Sequence, residues 1–500
     1  MEFLVCDIKS LNPKQVVVDC RFNIEQGKSV MKVLSVSAKP YLTTCECAQN
    51  EARFCGKVFF KLIYLTEEGE IITLENISDF SEECKSEGIV GNEKSSVDFV
   101  LVDVTTPSVK SNEVRVACVL DATVKLTDNK KLTYESEADA DVCYQKKVVD
   151  IWENVSSVDE SFDVTDEIRI SGSMEKIISY DVDLIVKDCF ASLGFVCVSG
   201  DVNYSFIYEK EEEGERKLIH YSQKLPFKQE IALSESKKEC YFSADLMINS
   251  SDIKVNVILD NNSNIIKFVS PIRVRGELFE NKIIDCISDA YMVDYECELK
   301  NEKLVTITNP KSEAFESVES GNYELGGEGE YSYIGYTAQN VTLTRLTSKG
   351  DGVDVEGLIS ASVLLNYEGV MTAINCEFPF KTHLKCEKNE NTFASLSLIN
   401  LDVALNGRVL NIEARVGYYI SSYGKSECVF VSKIEKTVEK EKPDCGVEIV
   451  FARENQTLFD IGKMFSVSEN MLLEQNKDVV LPLKEGDKLV IYRQKIVNFN

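Results

Sequence analysis

Phe54-Cys55-Gly56-Lys57-Val58-Phe59-Phe60-Lys61-Leu62-Ile63-Tyr64 is a glycine followed by a long alternating strand pattern, closed by the acidic, glycine-bearing turn Thr66-Glu67-Glu68-Gly69. The arrangement returns twice. It is seen in Val198-Ser199-Gly200-Asp201-Val202-Asn203-Tyr204-Ser205-Phe206-Ile207-Tyr208, with the turn Glu211-Glu212-Glu213-Gly214. It is seen again in Val355-Glu356-Gly357-Leu358-Ile359-Ser360-Ala361-Ser362-Val363-Leu364-Leu365, with Glu368-Gly369. Strand, polar turn and renewed strand predict a hairpin in each case. At nearly constant distance beyond each glycine stands Asp79-Phe80, Pro226-Phe227 or Pro379-Phe380.

Each copy then closes with one more alternating strand: Val114-Arg115-Val116-Ala117-Cys118-Val119-Leu120, Ile272-Arg273-Val274-Arg275-Gly276-Glu277-Leu278, and Leu410-Asn411-Ile412-Glu413-Ala414-Arg415-Val416. Their arginines are expected to face solvent. A leading strand precedes each glycine, as in Val33-Leu34-Ser35-Val36-Ser37-Ala38, Ile178-Ser179-Tyr180-Asp181-Val182-Asp183 and Tyr331-Ser332-Tyr333-Ile334. Several short strands with period-two alternation and polar turns predict a small antiparallel sandwich or barrel, repeated three times. The expected organisation is mainly β. Unit one spans 1–148 with an N-terminal extension, unit two 155–308, unit three 323–436, and a small terminal module 446–494. Trp152, the sole tryptophan, is expected to anchor packing at the first junction. Residues 309–329, rich in Ser, Glu and Gly, read as a linker, and the alternating lysines and acids of 433–444 as a short solvated helix or an extended tether.

Five hundred residues are ample for roughly three or four domains. Lys and Arg total 55 against 83 Asp and Glu, a formal net charge of −28, so phosphate backbones and anionic lipid surfaces are poor partners. The 17 cysteines are scattered, with no paired knuckle of zinc-site spacing, and are expected to be small apolar core residues in a reducing compartment. Met1-Glu2-Phe3-Leu4-Val5 has no basic n-region, and no apolar run approaches a membrane span, so synthesis in the cytoplasm without membrane insertion is expected.

Residues 448–492 change character. The alternating Glu448-Ile449-Val450-Phe451 is followed by Thr457-Leu458-Phe459-Asp460, a capping box. Leu458, Ile461, Gly462 and Phe465 recur at helical spacing, Ser468 caps a second helix to Asn476, and Pro482 with Gly486 leads into Lys488-Leu489-Val490-Ile491-Tyr492. This βααβ order resembles a LysM module. The match runs through Phe451, Thr457-Leu458-Phe459-Asp460-Ile461, Val467-Ser468, Leu472, Asn476 and the ending from Pro482 to Ile491. The resemblance implies a shallow groove for N-acetylglucosamine glycans, built from Arg453, Asn455, Gln456, Thr457 and Leu458 on one loop and Asn476, Lys477, Val479, Val480 and Leu481 on the other. The sequence departs from the family where Asn455-Gln456 replaces Gly-Asp and Lys477 replaces proline. Phe459, where the family has Trp, is expected to be an anchor of the module's core.

Glycine-led β units followed by one LysM module resemble the SipL family of clostridial sporulation proteins, whose repeated unit is the SPOCS domain. That resemblance implies an adaptor of spore-coat assembly, active at the forespore surface in the mother cell, with a SpoIVA-like coat-basement ATPase as partner. Peptidoglycan or another N-acetylglucosamine glycan is the alternative ligand, and nucleic acid is not expected. Chemistry is hard to find. His220 and His383, the only two histidines, lie in strand patterns, Gly326-Gly327-Glu328-Gly329 is too acidic for a phosphate loop, and no P-loop is present. No catalytic residues, metal or cofactor are therefore expected. A wall hydrolase with LysM as its targeting arm would need a catalytic domain that the sequence does not display.

Overall fold

The computed structural model describes residues 2–110, 112–212, 215–259, 263–387, 389, 391–441 and 446–493. The chain is mainly β and antiparallel. Its first part comprises β1 (Glu2–Ser10), β2 (Lys14–Asn23), β3 (Val30–Ala48), β4 (Glu51–Thr66), β5 (Ile71–Lys85), β6 (Lys94–Val104), β7 (Ser108–Lys110) and β8 (Glu113–Thr133). The middle comprises β9 (Val142–Ser171), β10 (Lys176–Ser192), β11 (Phe195–Glu212), β12 (Glu215–Ala232), β13 (Tyr241–Ile248), β14 (Lys254–Leu259) and β15 (Ser263–Met292). Then come β16 (Tyr295–Glu324), β17 (Tyr331–Lys349), β18 (Gly352–Tyr367), β19 (Val370–Leu384), β20 (Asn391–Asn406) and β21 (Val409–Glu439). The chain ends with β22 (Gly446–Phe451), α1 (Leu458–Phe465), α2 (Glu469–Gln475) and β23 (Lys488–Arg493).

Three sheets have the order β3-β4-β5, β10-β11-β12 and β17-β18-β19, and each packs face to face on a second sheet centred on β8, β15 or β21. Phe54, Phe60 and Tyr64 fill the first core with Val116 and Leu120, Tyr204 and Phe206 the second with Phe268 and Val274, and Val363 and Leu365 the third with Ile412 and Val416. Among the described residues the sheets stay open, so the sandwich alternative holds and the barrel does not.

The glycine and phenylalanine landmarks are cross-strand partners. Gly56 lies opposite Phe80, Gly200 opposite Phe227 and Gly357 opposite Phe380. A Cβ on Gly56 or Gly357 would come within 2.4 Å of the facing ring. At Gly200 the tighter obstacle is the Ile185 carbonyl oxygen, 2.1 Å away. The aromatic ring therefore lies over a strand that has no side chain at that point.

The central strands β4, β11 and β18 are buried on both faces because the three sheets also turn their outer faces on one another. Ile63 and Leu65, Ile207 and Leu364 share one apolar cluster. Between the first and second sheets, Thr73 Oγ1 donates to the Ile178 carbonyl at 2.6 Å. Between the second and third, the His220 ring packs at a tilt against Tyr336 with ring centroids 4.1 Å apart. Between the third and first, the Lys32 ammonium bonds the Thr372 hydroxyl. All three meet at a half-buried polar centre, where Lys39 reaches Asp181 at 2.5 Å and Asp183 at 2.7 Å and Gln339 Nε2 donates to Asp183 at 3.2 Å.

The long strands outrun their sandwiches. β9 pairs with β15 from Ser171 opposite Ser263 to Val142 opposite Met292, a ribbon of about 100 Å at ~3.3 Å per residue. Its far half joins those of β1/β8 and β16/β21 in a common stalk, cored by Ile151, Cys286, Leu304, Cys428 and Phe430 and, beside them, by Cys6, Phe279, Ile307 and Tyr423.

The stalk corrects several expectations. Trp152 does pack, against Cys6 of β1, Phe279 of β15 and Ile307 of β16 where the three ribbons meet, and it does so from inside an unbroken strand. The expected linker is strand up to Glu324, paired with β21. The expected tether or helix is strand as far as Glu439, and its part in 442–444 lies outside the described residues. Of the arginines, Arg115 and Arg415 are exposed, whereas Arg273 and Arg275 are half-buried and share the Asp159 carboxylate. The 16 described cysteines are free, ten of them buried.

Candidate functional site

The terminal segment builds its own small core from Ala452, Leu458, Ile461, Val467, Leu472, Leu489 and Ile491. Thr457 caps α1: its hydroxyl accepts from the Asp460 amide at 3.2 Å, while its own amide donates to Asp460 Oδ2 at 2.8 Å. Ser468 caps α2, its hydroxyl accepting from the Met471 amide at 3.2 Å. The strands close the unit in antiparallel register, Val450 opposite Leu489 and Glu448 opposite Ile491.

The ten groove residues divide into tips and supports. Arg453, Asn455, Thr457, Lys477, Val480 and Leu481 are exposed. Asn455 takes a left-handed conformation, φ 61°, which asparagine tolerates better than most residues, so the loop keeps a glycine-like backbone without its glycine. Gln456 ties its own turn, Oε1 accepting from the Arg453 amide at 3.0 Å. Leu458 is buried in the module core and Val479 packs against it. Asn476 is fully engaged: Nδ2 donates to the Leu472 and Val490 carbonyls, both at 2.8 Å, and Oδ1 accepts from the Val490 amide at 2.6 Å. That side chain fastens α2 to β23 and has no N–H left to offer a ligand. The Leu481–Pro482 peptide is cis.

Sequence reasoning missed a larger surface. Val447, Ile449 and Phe451 are 60%, 53% and 61% exposed on one face of β22, with Tyr492, 50% exposed, directly opposite Val447. Alternation points the other way: Val447, Ile449 and Phe451 are the apolar set that period two would turn inward, and the pairing of Val450 with Leu489 and Glu448 with Ile491 is what places them on the outer face.

Phe459 is buried, as expected, but its aromatic neighbour is Tyr291 at the end of β15, ring centroids 5.1 Å apart and edge-on. Its anchor lies in the stalk.

Elsewhere, Ser205 Oγ and His220 Nε2 are 3.0 Å apart, a hydroxyl beside an imidazole, yet burial pushes the His220 pKa down to about 4. The adjoining cavity, lined by Ser205, Tyr336 and Gln339 among others, is about 10 Å3, room for at most one water molecule. His383 is held instead by carboxylates, Nδ1 at 2.7 Å from Asp354 and Nε2 at 3.2 Å from Asp351. Among the described residues no cluster of three His, Cys, Asp or Glu is placed to hold a metal ion, and no helix is long and apolar enough to cross a membrane.

The family described as SipL, SPOCS domain matches residues 173–258. The matched segment contains the whole β10-β11-β12 sheet, with its Gly200–Phe227 pair, and β13. It supports a SipL-like, sporulation-related chain. No curated protein matches the chain.

Proposed function

We propose that the chain is a non-enzymatic adaptor of spore-coat assembly, formed of three SPOCS-like units and a terminal LysM-like module, which binds a SpoIVA-like coat-basement ATPase at the forespore surface. The strand pairing supports unit limits near residues 2–134, 142–292 and 295–439, starting earlier than 155 and 323. The observation that carries the binding role is the open face of Val447, Ile449, Phe451 and Tyr492, because contiguous exposed apolar surface of this kind marks association sites. Its test is co-purification of the ATPase with the full chain, with Ile449→Asp/Phe451→Asp, and with a chain lacking residues 446–500. Loss of capture in both altered chains supports the assignment. Undiminished capture by the truncated chain moves the docking site to the β units.

A second reading, peptidoglycan binding, draws on the exposed loop tips at Arg453, Asn455, Thr457, Lys477, Val480 and Leu481, and on the glycine-like backbone of Asn455.

A further inference from the structure

The terminal module meets the tip of the β9/β15 ribbon through a set of contacts that use unlike chemistry at neighbouring points. Tyr291 projects into the side of α1. Its ring packs edge-on against Phe459, and its hydroxyl donates to the Val467 carbonyl at 2.8 Å. Gly462, on the same side of α1, leaves the space that this hydroxyl needs, since a Cβ there would lie 2.2 Å from it. One turn on from Phe459, Lys463 grips both oxygens of Asp289 at 2.6 and 2.5 Å. From just beyond β21, Lys440 donates to the Met292 carbonyl and to Ser466 Oγ, each at 2.9 Å, joining ribbon tip and helix end.

The stalk residues in these contacts lie outside the module's own apolar cluster. The module's core is complete without Phe459, which stands outside the cluster of Leu458, Ile461, Leu472, Leu489 and Ile491. The helix carries two apolar faces, one for its own module and one for the stalk.

We propose that Tyr291 and Asp289 form a latch that holds the terminal module on the stalk by the Phe459 face of α1, covering that face and fixing the β22/β23 face outward. A ligand that needs Phe459 must first displace Tyr291, whereas one that uses Val447, Ile449 and Phe451 meets an open surface.

Amide hydrogen exchange on the full chain tests this, because it reads local release separately from unfolding. In Tyr291→Ala, exchange over residues 459–467 should quicken by about tenfold or more, while Leu489 and Ile491 in β23 keep their protection. Asp289→Lys should quicken the same segment, and Asp289→Lys combined with Lys463→Glu should restore the slow rate. Unchanged exchange over 459–467 in Tyr291→Ala would overturn the latch. So would protection lost together over α1 and β23, which would make the contact part of the module's own fold, and so would failure of the charge swap to restore the slow rate.

Discussion

Gly357 and Phe380 face each other across β18 and β19, and the ring of Phe380 occupies the space into which any larger residue at 357 would have to grow. Gly357→Val should therefore cost about 1–3 kcal/mol by overpacking, and Phe380→Ala about 3–5 kcal/mol by leaving a void in a core. The two together should cost less than their sum, since the truncated side chain makes room for the added one. Urea unfolding of the four chains checks this. Strict additivity would mean that the pair is not coupled.

Lys39 is the sole ammonium bonded to both Asp181 and Asp183 among the described residues. Burial works against its charge, yet the two carboxylates hold its pKa above the usual lysine value, while burial pushes the Asp183 carboxyl up. Removing one member of such a set strands the others, so Lys39→Met should cost about 3–5 kcal/mol. Lys39→Met/Asp183→Asn should recover part of that loss in denaturant titrations.

The two histidines should give opposite pH dependences. His220, depressed to about 4, binds its proton less readily folded than unfolded, so its contribution is intact above about 6.5 and is lost as pH falls towards 4, by at most about 3 kcal/mol. His383 is raised by its hydrogen bonds to Asp354 and Asp351, so its contribution is complete below about 6.5 and fades as pH rises through its elevated value. Melting temperatures from pH 4 to 8 check both. Relative to the parent chain, His220→Gln should gain stability towards acid and His383→Gln should lose it there.

Asn476 should behave as a structural fastener. Asn476→Ala abandons two carbonyls and one amide at about 1 kcal/mol each, enough to loosen so small a module. Circular dichroism and the exchange rates of α2 would register it. Chitin oligomers should bind the parent chain more weakly than about 10 µM, or roughly −7 kcal/mol, by calorimetry.

Much of this architecture could be read from the residues. The glycine-led strands, the hairpin turns and the Thr457–Asp460 capping box lie where alternation and turn chemistry put them. The strand character of 309–324 was hidden because β16 is an edge strand of the third sandwich, and its partly covered positions carry Ser317, Glu319 and Gly321 beside Phe315, a composition that imitates a linker. Gly321 in particular leaves room for the Phe378 ring. Lysines and acids around Ile434 concealed the end of β21 in the same way. For Phe459, helical spacing indicates burial without saying whose surface provides it. In the groove, spacing marked Asn476 without revealing that its amide is spent on the backbone.

The meeting of the three outer faces at Ile63, Ile207 and Leu364 also limits how such a chain can change. In an open stack, each repeat leans only on its neighbours, and copies can be added or lost at an end. Here the first sheet leans on the second, the second on the third and the third on the first, so the circuit is already closed. A fourth copy would find no vacant seat, and deleting any one would bare apolar surface on both survivors. The closed circuit of three sheets thus sets the geometry from which the turns, the stalk and the module at its tip hang.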